Sequence, residues 1–220
     1  MLLLQAGTPI VSRESDGVIS VLNSKLNYSI VPGESAVNFY TQFANPTSPG
    51  YTWNRSLPPS FNMFLSGSLA TYIGFASEVF SIQQKNSNLN FDVTNIPQIR
   101  DSAKKVSFGR MYALAIVRQS KQIGGAYLAL NGLTEKTALK ELETVTNLPP
   151  VRRDLLSTKP EDAFRTVFYN SALISRSWID PDSVGSEKVF RGMIEMITSG
   201  RGRLSESLDR ADIGLKELLK

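Results

Sequence analysis

The chain has 220 residues, 41% hydrophobic and 20% charged, with no cysteine and no histidine. Thiolate and imidazole nucleophiles or bases, thiolate zinc sites and disulfides are therefore excluded, while the length suffices for one large domain or two small ones. The net charge of +4 has no dense source: residues 1–100 carry five basic and five acidic side chains, residues 101–220 carry 19 and 15, and no basic run exceeds two residues. A nucleic-acid groove needs a denser patch. No apolar run approaches the roughly 18–20 residues that span a bilayer. The opening "MLLLQAG" lacks the basic n-region of a signal peptide and has too short an apolar core. The absence of cysteine fits either side of a membrane.

In chain order, the first clear helix is expected over 32–44, "PGESAVNFYTQFA", with Pro32 in its first turn, Glu34 near its positive end, and Val37, Tyr40 and Ala44 beside Ala36, Phe39 and Phe43 in two adjoining apolar rows. A loop rich in Pro, Ser and Asn follows at 45–60 and holds Tyr51 and Trp53. In "FLSGSLATYIG" (64–74), Phe64 and Leu65 close a helical turn and Gly67 takes a positive φ. Residues 69–75 then read as a buried strand, with Gly74 near its far end where a close approach is needed.

Further on, a helix is expected near 77–85 and a short strand at 90–95, stopped by "IPQ" at 96–98. A polar, lysine-bearing connector (100–105) leads into a second strand, "VSFGRMYALAIV" (106–117). Helices are expected near 120–131, 135–146 and 160–174, with a proline-marked connection, "NLPPVRRDLLSTKP", before the third. After "SRSWIDPDSVGS" come a helix at 187–198, one face of which is Val189, Phe190, Met193, Ile194 and Ile197, and a last helix on Leu204, Leu208, Ala211, Leu215 and Leu218. Gly200 stands where a helix C-terminus favours glycine. There is no internal repeat. Few strands, widely separated by helices, indicate an α/β protein.

This order of features resembles the C-terminal half of the family 1 extracellular solute-binding proteins, the carbohydrate-binding subunits of ABC importers that include the maltose-binding type. The motifs that carry the resemblance are "FLSGSLATYIG", "IPQ" at 96–98, "SFGRMYALAI", "SRSWIDP" around Trp178, and the closing "MIEMITSGRGRLSESLDRADIGLKELL". One departure is Thr71, where the family usually has methionine. A larger one is length: similar proteins are longer, with a signal peptide or lipobox and an N-terminal lobe ahead of this part. The resemblance thus implies a two-lobe, type II periplasmic-binding-protein-like fold, represented by its C-terminal half. Residues 1–98 and 171–220 are expected in the C-terminal lobe, and 99–170 as the crossover and the remnant of the other.

It also implies a non-catalytic function: capture of a sugar or other polar solute in a cleft, hinge closure, and presentation to ABC permease subunits at a membrane. On that reading the protein is extracytoplasmic, monomeric at full length, and uses no cofactor or metal. The ligand-facing backbone is Gly74, Phe75, Ala76 and Ser77, with Glu78 beside it, the plain alternative being that Gly67 and Gly74 are turn glycines. Trp178 is a candidate to stack on a pyranose face, or else to cover a helix end. As a cleft residue it is expected to contribute affinity and little stability, with Trp53 the reverse if Tyr51 and Trp53 only seal a loop. Phe108, Gly109 and Tyr112 are candidates where the second strand meets the cleft, or a packing cluster at its start. Asp180 and Asp182 flank a proline and read as capping or turn residues rather than paired glycosidase acids. Lys104 and Lys105, and Arg152 and Arg153, read as solvated charges, the alternative for the arginine pair being contact with a partner protein. Two rival functions are a glycan-active enzyme using Asp or Glu and a helical interaction module without a small ligand.

Overall fold

Helices form where apolar side chains recur at helical spacing. The computed structural model describes residues 1–220 except 16, 101, 103 and 159. Residues 101 and 103 of the expected connector, and 159 of the proline-marked connection, lie outside the described residues. By internal contact the chain divides into two compact units. One comprises Met1–Leu57, Gln98–Phe108 and Arg176–Lys220, the other Pro58–Pro97 and Gly109–Ser175. Residues 58–97 thus cluster with 109–175, so grouping by contact differs from the lobe grouping expected by resemblance.

In the first unit, α1 (Leu2–Gln5) precedes a hairpin of β1 (Val11–Glu14) and β2 (Gly17–Ser20). The two strands are antiparallel in the register Val11↔Ser20 to Glu14↔Gly17. This hairpin is not among the expected elements, although the sequence holds an Asp-Gly pair at 16–17, a recognised hairpin signal. Then comes α2 (Pro32–Thr41), extended by a 3₁₀ turn to Ala44, with Pro32 and Glu34 in its first turn as expected.

α9 (Ser183–Thr198) and α10 (Leu204–Leu218) complete the unit. They close its core with Ile10, Leu22, Val37, Met193, Leu208, Ala211 and Leu215. α9 begins four residues before the expected start because Asp182 caps it, its carboxylate accepting from Val184 N at 3.1 Å. One polar group is buried here with every need met. Asp212 of α10 accepts from Ser20 Oγ at 2.6 Å and Leu22 N at 3.0 Å, and pairs with Lys216 Nζ at 2.7 Å.

The second unit holds α3 (Ser60–Leu65), a 3₁₀ turn at Ala76–Glu78, α4 (Val79–Lys85), α5 (Ile123–Leu133), α6 (Lys136–Thr146), α7 (Arg153–Leu156) and α8 (Ala163–Leu173). α8 starts behind the cap Asp162, which accepts from Arg165 N at 2.7 Å. A chain of rings runs Tyr72–Phe64–Phe91–Phe164, with centroids 5.5, 5.8 and 5.6 Å apart. It joins α3, the stretch after it, the 90–95 stretch and α8. Glu143 of α6 accepts from Tyr169 OH at 2.5 Å and pairs with Arg165, both on α8. Gly67 (φ +73°) and, in the first unit, Gly200 (φ +70°) take the left-handed conformation expected of them.

Three expected strands are corrected. Residues 69–75 and 90–95 run without strand pairing, and of 106–117 only Ser107–Phe108 is strand (β3), forming a two-stranded sheet with β4 (Ser175–Arg176). The physical reason is common to all three: a strand exists only as part of a ladder. Apolar side chains in these stretches promise a sheet, but among the described residues no neighbouring strand is there to accept them.

Candidate functional site

The second unit gathers part of the expected site around one carboxylate. After the turn at Gly67 the chain runs without regular secondary structure to Phe75, whose extended backbone opens the 3₁₀ turn Ala76–Glu78. The side chain of Glu78 folds back to accept from Phe75 N at 2.6 Å and from Tyr72 OH at 3.1 Å. A Cβ on Gly74 would overlap both Glu78 Oε2 and the Tyr72 ring. A side chain at 74 would thus force Tyr72 and Glu78 to shift: the close approach is there, but the neighbours are the protein's own side chains.

Burial first, then the Glu78 charge and hydrogen bond, push the Tyr72 phenol up to about 12. The neighbouring anion opposes a second negative charge, so the phenol stays protonated and donating. Phe75 remains exposed, and the Arg110 guanidinium lies 5.1 Å from its ring centroid. That contact brings residues 74–78 together with the 109–112 stretch. Gly109 passes so close to Ser175 that a Cβ there would overlap its hydroxyl. Tyr112 is 102% exposed, a phenol wholly in solvent. Arg110 was not read as a site residue; its place immediately after Gly109 was the available signal.

The first unit holds the remaining candidates. Phe108 is half-buried in β3. Trp53 lies against Tyr40 of α2, centroids 5.3 Å apart, and the backbone donates from Thr52 N to Phe43 O at 2.9 Å. Such packing fits the loop-sealing alternative for Trp53. Trp178 meets Phe190 edge to face at 6.1 Å and packs against the core of α9 and α10, still half-buried. Such packing weighs against the expectation that the ring contributes little stability. Asp180 accepts from Ser186 Oγ at 2.7 Å, so both acids of "DPD" are engaged in starting α9. Lys104, Lys105, Arg152 and Arg153 are exposed, and Arg152 forks onto Asp154 at 3.0 and 3.2 Å. Among the described residues no group of three or more acidic side chains is arranged to hold a metal ion.

No family model matches the chain, and no curated protein matches it in sequence. Solved structures do. A cyclo/maltodextrin-binding protein complexed with maltotetraose superposes with a TM-score of 0.73 at 18% identity, over 98% of this chain and 55% of that one. A protein from Synechococcus sp. MITs9220, described as an oligosaccharide periplasmic-binding protein, gives 0.67 at 16% identity, over 98% and 56%. The same protein in complex with zinc gives 0.61. The chain has the fold of the periplasmic binding proteins. The fold expected from five short motifs is the fold found: helices with few short strands, superposed over 98% of the chain. This periplasmic-binding-protein fold is present in part, since the chain spans about half the length of those structures.

Proposed function

We propose that the chain is the C-terminal half of a non-catalytic carbohydrate-binding component of an ABC import system. One observation supports this above the others: 98% of the chain follows a maltodextrin-binding protein while filling 55% of that protein's length. On this reading an N-terminal lobe completes the cleft, a sugar is captured between the lobes, and closure is the signal read by permease subunits outside the cytoplasm. Residues 1–98 and 171–220 descend from one lobe and 99–170 from the crossover and the other, a division by ancestry that need not coincide with contact.

The proposed ligand-facing residues are then Gly74, Phe75, Ala76, Ser77, Glu78, Phe108, Gly109, Tyr112, Trp178 and Trp53. The full-length protein is a monomer without cofactor. Sequencing upstream of Met1 tests the missing lobe: an in-frame N-terminal lobe is expected. Calorimetric titration of the joined protein with maltotetraose tests the sugar. Saturable heat without turnover supports the reading, release of shorter glucans overturns the non-catalytic part, and no heat with any glucan overturns the carbohydrate.

A further inference from the structure

Within the first unit, α9 and α10 border an open groove of about 470 Å³ whose lining includes none of these residues. Its floor is apolar and deformable: Met193 and Ala211 are buried and Met196 is half-buried. Methionine fits itself to irregular partners. The rim is basic. Lys188, Arg201 and Arg210 line it and are exposed, and none of them has an acidic partner among the described residues. Arg210 leans over the groove, Nη1 4.0 Å from Met196 Sδ, and Arg201 is steadied at one end by Nε donating to Ser199 Oγ at 2.9 Å. The lining carboxylate, Glu195, is turned to Arg55 at 3.4 Å.

We propose that this groove binds an acidic peptide segment of a partner protein. An apolar side chain would seat on the Met193, Met196 and Ala211 floor, and flanking carboxylates would meet Arg201, Arg210 and Lys188. Arginine offers a planar fork that matches a carboxylate. A neutral sugar has no use for three unpaired cations, and a flat anionic bilayer would reach the rim but not the concave floor. Three cations are also few for a nucleic acid, whose binding is dominated by phosphate contacts. The volume lies within the range of about 300–1,000 Å³ that small ligands and side-chain clusters fill. The groove lies wholly within one unit.

The test titrates the 220-residue protein into three dye-labelled peptides, Glu-Leu-Glu-Leu-Glu, Gln-Leu-Gln-Leu-Gln and Glu-Gly-Glu-Gly-Glu, and reads fluorescence anisotropy. Saturable, salt-sensitive binding is expected for the first alone, weakened at least about tenfold in Arg201→Gln/Arg210→Gln. The circular-dichroism melt of that variant should match the parent, because both side chains are exposed. Should the double variant fail to fold, Lys188→Gln reads the same rim and should also weaken binding. Equal binding of the glycine peptide would reveal unspecific ion exchange and overturn the proposal. So would undiminished binding by the variants, no saturable binding of the first peptide, or preference for anionic phospholipid vesicles through the same three residues.

Discussion

Two aromatic side chains show how neighbours decide what a residue can do. The Tyr72 phenol, raised to about 12 in the folded protein, titrates near 10 when unfolded. Its folded form holds the proton more tightly, so the contribution is fully present below pH 10 and is lost as pH rises towards 12. Denaturant titrations between pH 9 and 12 should show stability falling through that window, less steeply in Tyr72→Phe. Glu78→Gln should lower the phenol only part of the way, measured by ultraviolet titration, because burial is the larger cause. Trp178 carries a different lesson. An indole packed edge to face on Phe190 and against the core supports α9 as well as facing outward. Trp178→Ala should therefore cost about 2–3 kcal/mol of stability in a thermal melt, somewhat below the roughly 3–5 kcal/mol for a fully buried ring. An unchanged melting temperature would show that the ring is not part of the core.

At the scale of elements, the hairpin and the last helix are joined by one carboxylate. Asp212 satisfies the Ser20 hydroxyl and the Leu22 N–H across 192 and 190 residues of sequence. Removing the acceptor leaves two buried donors, each costing about 1–3 kcal/mol when unpaired. Asp212→Ala should thus destabilise by about 2–4 kcal/mol, and hydrogen exchange should speed at β2 and α10 before it does at α6 and α8. The latter pair has its own tie through Glu143, Arg165 and Tyr169. Uniform acceleration across all four elements would show that the carboxylate supports global stability and not that junction. Such ties also explain helix boundaries: Asp162 and Asp182 set the starts of α8 and α9 where periodicity placed them less accurately.

The whole molecule leaves much apolar surface open. Met111 is 71% exposed, Leu128 72% and Val145 81%, all within the unit that contains 109–117. Large exposed apolar side chains are a hallmark of a missing partner or an aggregation hazard where they gather in a patch. The isolated chain should bind a hydrophobic dye strongly or self-associate, measured by dye fluorescence and light scattering, and Met111→Lys with Leu128→Lys should reduce both. A sharp unfolding transition without dye binding would oppose this and, with it, the half-protein reading.

Helix existence was legible in the sequence because helical order is local: the apolar rows of α2, α9 and α10 and the glycines at 67 and 200 needed no distant partner to be read. The five motifs also carried the fold, which the superposed structures share. Strands were not legible in the same way. Residues 69–75, 90–95 and most of 106–117 have strand-like composition, yet a ladder is completed by another segment, and only tertiary structure reveals whether one is present. The same holds for the site. Sequence marked Gly74 as a close approach, but only folding showed Tyr72 and Glu78 filling that space, Arg110 over Phe75, and Trp178 on Phe190. Spacing along a chain encodes what a residue can reach within one turn of helix; contacts across scores of residues are determined by packing.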